Sequence, residues 1–315
     1  MLAKDKRWIQ FNELHLRTNP EHAPPIQISD LIPSWETRVQ AGEAAKTLDN
    51  GSSAIRVTKI KEHPDKQALV FLIQYINANM SAPSIAKLDS GVVRHDPLLD
   101  GEGVAVSAHA VLSTSPRVDQ SDFPQYILLL EEVPGIGRST LQPFLRSEFK
   151  TIATSWEWPD ETEGRRYRRY HPVTELHLLA DTTLAEEVRS GSTITFIEFY
   201  KHFPRGHGID ECPSIEESKQ ILVLQARNQA NILDRINELM HRYSDEGYDE
   251  LKIRYKNQGG RQKTGAMGMN RTDIADSLIG KSLQIMTNES LAQCHEDIVP
   301  SLEAQMLEGL SRSRA

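Results

Sequence analysis

The apolar residues of this chain come in short runs, and this feature most limits the folds that are open to it. One run, Gln67–Ile76, reads QALVFLIQYI and predicts a buried strand. No run approaches the roughly 18–20 apolar residues that a membrane-spanning helix requires. At 315 residues, with 38% hydrophobic residues, the chain is long enough to build one large core or two ordinary ones. We therefore expect a globular protein that does not enter a membrane.

The first half of the chain is rich in strand signals. Alternation of apolar and polar residues predicts a strand within the first 20 residues, and residues 49–53 (DNGSS) form a turn signal. Residues 18–35 contain four prolines and predict an extended connector. Further strands are predicted at Ala54–Ile60, Gly103–Leu112 and Tyr126–Leu130.

The second half alternates between strand and helix signals. Apolar residues recur at helical spacing in Asn228–Tyr243 and Glu289–Leu310. Strands are predicted at Val173–Leu179, Thr193–Phe199, Lys219–Gln225, Glu250–Lys256 and Ser282–Met286. These patterns predict an α+β fold with mixed or antiparallel sheets and helices packed on one face, in two halves. Because residues 151–172 are polar and punctuated by proline, we predict a β-rich domain at 1–150, a linker at 151–172 and an α+β domain at 173–315.

A basic segment at residues 252–271 stands out in a chain whose net charge is −8. It has no acidic residue, and four glycines break it into a predicted flexible loop. Alternating side chains of a strand would place three of its cations on one face, about 6–7 Å apart, close to phosphate spacing. The segment predicts phosphate contacts, and a solvated face is the alternative. Its basic residues are Lys252, Arg254, Lys256, Arg261, Lys263 and Arg271.

A second basic cluster reads RRYRRYH at residues 165–171. Arginine beside aromatic residues is the combination that grips phosphates and stacks on bases in single-stranded nucleic acids. The alternative is an exposed linker whose arginines pair with the acidic residues just before them. The candidate contacts are Arg165, Arg166, Arg168 and Arg169.

Residues 133–140 read VPGIGRST and precede an apolar, helix-like stretch. This segment resembles the hairpin of the helix-hairpin-helix motif of DNA-binding proteins, over about 20 residues. The resemblance implies that backbone N–H groups at a helix N-terminus contact a DNA phosphate. It is incomplete, because Tyr126–Leu130 favours a strand as much as a helix and Pro143 lies inside the second helix. An ordinary strand-to-helix turn with Ser139 as N-cap is the alternative.

No constellation for catalysis is complete. A loose match to the carboxylates and lysine of metal-dependent nucleases is formed by Asp245, Glu250 and Lys252. In that interpretation, Glu198 or Asp210 of this chain would supply a missing carboxylate. The segment 202–212 holds five residues of ligand type, but their spacing matches no standard site. We therefore predict no metal site and no cofactor. The two cysteines, Cys212 and Cys294, lie far apart and favour a reducing cytoplasm.

These patterns favour a bacterial, cytoplasmic protein that binds nucleic acid through local basic patches. An accessory role in antiviral defence or in a mobile element is a further hypothesis, which no single residue supports. A metal-dependent nuclease is one alternative function. The other is an interaction or scaffold subunit, in which the helix at 289–310 docks on a protein partner or on a second copy.

Overall fold

The computed structural model describes residues 2–117, 123–160, 165–203, 208–209, 212–216, 219–257, 260, 262–269 and 278–314. Contacts divide the chain into two units. Unit 1 comprises Met1–Leu179 and Lys281–Ala315, and unit 2 comprises Ala180–Gly280. This partition differs from the division at 151–172 predicted from the sequence, because the last part of the chain returns to the first unit.

The elements follow one another along the chain as strands with a few helices between them. The first part of unit 1 contains β1 (Lys6–Asn19), α1 (Ile28–Gln40), β2 (Ala45–Leu48), β3 (Ser53–His63), β4 (Ala68–Asn77), β5 (Ser84–Ala86), β6 (Val93–His95), β7 (Val104–Ser113), β8 (Gln125–Glu131), α2 (Arg138–Ile152), β9 (Glu157–Asp160), β10 (Arg165–Arg169) and β11 (His171–Leu178). Unit 2 contains β12 (Ala180–Thr183), α3 (Leu184–Arg189), β13 (Thr193–His202), β14 (Gly208–Ile209), β15 (Cys212–Glu216), β16 (Lys219–Gln225), α4 (Ile232–Asp245), β17 (Glu250–Lys256), β18 (Gln262–Gly268) and β19 (Leu278–Gly280). The chain then re-enters unit 1 with β20 (Ser282–Met286) and α5 (Pro300–Arg314).

Every strand pair among the described residues is antiparallel. The predicted α+β class with antiparallel sheets is confirmed. The large sheet of unit 1 has the order β11-β1-β8-β7-β4-β3-β2, and β20 also pairs with β1. The long strand β1 serves two partners on that edge, because Lys6–Gln10 pair with β20 and Asn12–Asn19 pair with β11.

Helices cover both faces of the unit 1 sheet. On one face α1 and α2 pack against residues such as Phe71 and Leu128. On the other face α5 packs against residues such as Val70 and Leu129. The central strand β4 is therefore buried on both sides, which explains its unbroken apolar run.

Helix α1 occupies much of the segment predicted to be an extended connector, so that prediction was wrong for residues 28–35. The backbone N–H of Gln27 donates to Asp30 in a capping box that starts the helix. Pro33 lies inside the helix. The buried Trp35 packs between the rings of Phe71 and Phe149, each at 5.1 Å between centroids. Burial of this apolar stripe offsets the hydrogen bond that proline removes.

The closing helix is shorter at its start than predicted, since α5 begins at Pro300 rather than at residue 289. Leu302, Met306 and Leu310 are buried against the unit 1 sheet. This stripe is therefore not the exposed docking surface that the scaffold alternative requires.

A buried charge relay fastens the segment before α5 to the sheet. Arg7 Nε lies 2.7 Å from Glu131 Oε1 in an ion pair with both side chains buried. The other oxygen of Glu131 accepts from the Nδ1 of His109 at 2.7 Å. The Nε2 of His109 accepts from the backbone N–H of Val299 at 3.0 Å. Both ring nitrogens of the buried His109 therefore have a hydrogen-bond partner, as a buried polar group requires.

Unit 2 is built on a four-stranded antiparallel sheet with the order β16-β13-β17-β18. The apolar residues of α3 and α4 pack with one face of this sheet, around Phe199, Ile236 and Ile253. Among the described helices of either unit, none is both long enough and apolar enough to span a membrane.

Candidate nucleic-acid interface

The second face of the unit 2 sheet carries the basic strand β17. Its burial alternates, so that Leu251, Ile253 and Tyr255 point into the core. Lys252, Arg254 and Lys256 therefore share the opposite face, as the sequence pattern predicted. Neither described helix of unit 2 contributes to that face, because both pack on the core side. We call this surface the open face.

Aromatic and apolar side chains lie beside the cations on the open face. Phe196 pairs across the sheet with Arg254, and Tyr200 pairs with Glu250. Both rings are half-buried and lie outside the core of unit 2. On the next strand Ile221 and Val223 are 42% and 54% exposed. The prediction from the sequence considered the cations alone, although the alternation in residues 195–202 (TFIEFYKH) could have located both rings.

Two cations of the open face are paired with carboxylates. Arg254 forms an ion pair with Glu198, which is almost fully buried. The hydroxyl of Tyr200 donates to the same carboxylate at 2.8 Å, and this hydrogen bond, followed by burial, raises the pKa of Tyr200. Lys252 Nζ lies 3.3 Å from Glu250 Oε1 and 4.0 Å from the centroid of the Tyr200 ring. Burial acts to lower the pKa of Lys252, but Glu250 and Tyr200 outweigh it and the pKa is raised.

Other cations of the predicted patch are placed differently. Lys256 is exposed and has no ion-pair partner among the described residues. Lys219, at the start of β16, is also exposed and lies on the open face opposite His202. Lys263 pairs with Tyr255 in register and so lies on the core side rather than beside Lys252.

The described part of the glycine-rich segment forms two paired strands, in keeping with the strand predicted at Glu250–Lys256, rather than a flexible loop. The strand β18 pairs with β17 from Lys256↔Gln262 to Glu250↔Gly268, and Gly265 lies opposite Ile253. Glycine in this strand therefore takes part in the ladder. Arg261 and Arg271 lie outside the described residues.

The second basic cluster belongs to unit 1 and is a strand of a small hairpin. Arg165, Arg168 and Arg169 pair in register with Asp160, Trp158 and Glu157. Arg169 Nε lies 3.5 Å from Glu157 Oε1. The structure describes the backbone of Arg165 and Arg166 but not their side chains.

The aromatic residues of this hairpin are engaged in packing. Trp158 is buried and contacts Tyr170 at 5.4 Å between ring centroids, and Trp156 contacts Tyr170 at 5.9 Å. Tyr167, in contrast, is 65% exposed. Residues 151–160 and 165–172 are therefore structured, and Tyr167 is the ring of this cluster that remains accessible for stacking.

The VPGIGRST segment does not form the motif that it resembles. The residues before it form the strand β8 rather than a helix. Gly135 has a φ of 87°, and a Cβ there would lie 2.7 Å from a ring carbon of Tyr75. The turn thus packs on the core of unit 1. The N-cap of α2 is Gly137 rather than Ser139, and Pro143 is tolerated inside the helix, beyond its first turn.

The described carboxylates of the nuclease alternative lie on different elements. Asp245 ends α4 and is exposed, whereas Glu198 and Glu250 lie on adjacent strands. Among the described residues, the only three ligand-type side chains that bring their atoms within 4.8 Å of one another are His15, Glu175 and His177. The Nδ1–H of His202 donates to Asp249 Oδ1 at 2.7 Å, and Asp210 lies outside the described residues.

No protein-family model matches this chain, and no curated protein matches it significantly.

Proposed function

We propose that this protein binds single-stranded nucleic acid on the open face of the unit 2 sheet. The observation that carries the proposal is the presence of two half-buried rings, Phe196 and Tyr200, on the same face as Lys252, Arg254 and Lys256. Bases stack on aromatic rings without regard to sequence, and cations beside them neutralise the phosphates. Four cations, counting Lys219, share this face with two carboxylates, so it is locally positive in an acidic protein.

The ion pairs divide the cations into two roles. The Lys252–Glu250 pair is partly exposed, and such pairs contribute about 0–1 kcal/mol. A phosphate can therefore replace Glu250 at little cost. Arg254 compensates the buried carboxylate of Glu198, so it orders the face and presents its remaining N–H groups. Lys256 is available without exchanging a partner among the described residues.

We extend the proposal to the setting of the protein: a bacterial cytoplasm, where it would be an accessory of antiviral defence or of a mobile element. The two well-separated cysteines support only the reducing compartment, and no residue supports the accessory role. The hairpin with Tyr167 and Arg169 would supply a further contact, argued from the exposed ring.

Fluorescence anisotropy with labelled single-stranded DNA and RNA over a range of salt tests the proposal. Lys252→Gln with Lys256→Gln should lower the slope of log K against log salt by about 1 for each cation. Tyr200→Ala should weaken binding about tenfold, within the roughly 1–3 kcal/mol per stacked base.

The matched control is Arg235→Gln, an exposed cation on α4 on the other side of the same sheet. It should leave the slope unchanged. Absence of binding at low salt, or an equal loss in Arg235→Gln, would refute the proposal.

A further inference from the structure

A small lattice of histidine and glutamate lies on one face of the edge strands of unit 1. In the antiparallel register of β1 and β11, Glu13 lies opposite His177 and His15 lies opposite Glu175. Residues directly opposite or two apart on a strand share a face. The four side chains therefore alternate as His and Glu along both strands and across them.

The lattice brings its nitrogen and oxygen atoms close together. The rings of His15 and His177 are 4.4 Å apart between centroids. His177 Nε2 lies 3.4 Å from Glu175 Oε2, and His15 Nε2 lies 3.7 Å from Glu13 Oε2. One ligand atom each from His15, Glu175 and His177 lies within 4.8 Å of the others.

Packing does not account for His15. Its side chain is 15% exposed, and neither ring nitrogen has a hydrogen-bond partner among the described residues. Buried polar atoms are normally satisfied, so an orphaned pair of nitrogens points to a missing partner. Burial disfavours the charged form of an imidazole, and metal ions bind the neutral form through its lone pair.

An arginine lies beside each carboxylate of the lattice. Arg117 forms an ion pair with Oε1 of Glu13, so that Oε2 is the atom nearer His15. Glu13 is thus oriented from outside the lattice, as metal ligands commonly are by their outer partners. Arg17 lies 3.7 Å from Glu175 Oε2, the same oxygen that faces His177, and its guanidinium lies over the Phe123 ring at 4.2 Å.

We propose that His15, His177 and Glu175 bind one divalent transition-metal ion, with Glu13 as the nearest additional carboxylate. Two imidazoles with carboxylate oxygen suit Zn²⁺ and its neighbours in the first transition row, whereas Mg²⁺ and Ca²⁺ prefer oxygen alone. His177 is half exposed, so the ion would keep a side open to solvent. This site lies in unit 1 and is independent of the open face.

Calorimetric titration of the untagged full-length chain with Zn²⁺ tests the site, and the visible spectrum with Co²⁺ reports its ligands. We expect one saturable site for Zn²⁺ and none for Mg²⁺. His15→Gln and His177→Gln should each weaken Zn²⁺ binding by at least about 100-fold, because loss of an outer partner alone costs 10–100-fold. Circular dichroism checks that the variants fold. If His15→Gln does not fold, Glu175→Gln replaces it as the second ligand variant.

The matched control is His241→Gln, an exposed histidine on α4, which should bind Zn²⁺ as the parent does. The proposal is overturned if the parent gives no saturable Zn²⁺ binding. It is equally overturned if the folded ligand variants bind as tightly as His241→Gln.

Discussion

The sheets of the two units are covered to different extents. In unit 1, strand β4 has six consecutive buried residues, Ala68–Ile73, because helices pack on both faces. In unit 2, strand β17 alternates between buried and partly exposed residues, because the described helices pack on one face. In unit 1, both faces of the sheet are buried and contribute to the stability of the fold. In unit 2, no described helix covers the open face, and ion pairs and a ring contact among its own side chains order it.

The contrast predicts unequal costs for truncating a side chain on the two sheets. Trp35→Ala removes the ring between Phe71 and Phe149 and should lower the free energy of unfolding of unit 1 by about 3–5 kcal/mol. Val223→Ala on the open face should change stability by no more than about 0.5 kcal/mol. All four tryptophans lie in unit 1, so fluorescence during urea denaturation reports unit 1. Hydrogen exchange over β13 and β16 reports unit 2. An equal cost at Val223 would break the comparison.

The buried relay predicts an acid-dependent stability confined to unit 1. Burial raises the pKa of Glu131, but His109 and Arg7 outweigh it and the net shift is downward. A carboxyl whose pKa is lowered on folding stabilises the protein while it is ionised. That contribution is present above the unfolded pKa of about 4.3 and is lost as pH falls through the folded pKa.

Glu131→Gln should therefore cost about 3 kcal/mol at neutral pH and flatten this acid slope. Glu308→Gln, at an exposed pair on α5, is the control and should leave the slope intact. Tryptophan fluorescence at several pH values measures both. An unchanged slope in Glu131→Gln would assign the acid sensitivity to other carboxyls.

The two ion pairs of the open face sharpen the comparison at a smaller scale. Arg254→Met leaves the buried carboxylate of Glu198 without its cation and should destabilise unit 2 by about 2 kcal/mol. Lys252→Met breaks a partly exposed pair and should cost less than about 1 kcal/mol. Hydrogen exchange over β13 and β17 distinguishes them. Equal effects would mean that Glu198 is hydrated once Arg254 is removed.

Local patterns predicted ten of the 20 described strands. Three of them, Lys219–Gln225, Glu250–Lys256 and Ser282–Met286, were predicted with the bounds that the structure has. Their alternating or short apolar runs identify them without knowledge of the tertiary structure. The helix α1 was missed because the prolines outweighed its apolar stripe. That stripe becomes decisive only when a sheet is present to bury it.

The candidate sites were less predictable from the sequence. Strand alternation correctly placed Lys252, Arg254 and Lys256 on one face. It could not show that Arg254 pairs with Glu198, whose strand is adjacent in the sheet but far away in the chain. The lattice of His15 and His177 escaped notice because its strands are more than 150 residues apart in the chain. Only the pairing register brings such residues together.

The return of the chain to unit 1 at Lys281 has a consequence for biosynthesis. As the ribosome releases the polypeptide from its N-terminus, strand β1 emerges long before β20 and α5, which pair with it and cover its sheet. Until translation reaches these last residues, the nascent chain exposes the face that includes Phe11 and Leu129. During that interval a chaperone would have to keep the exposed face from aggregating.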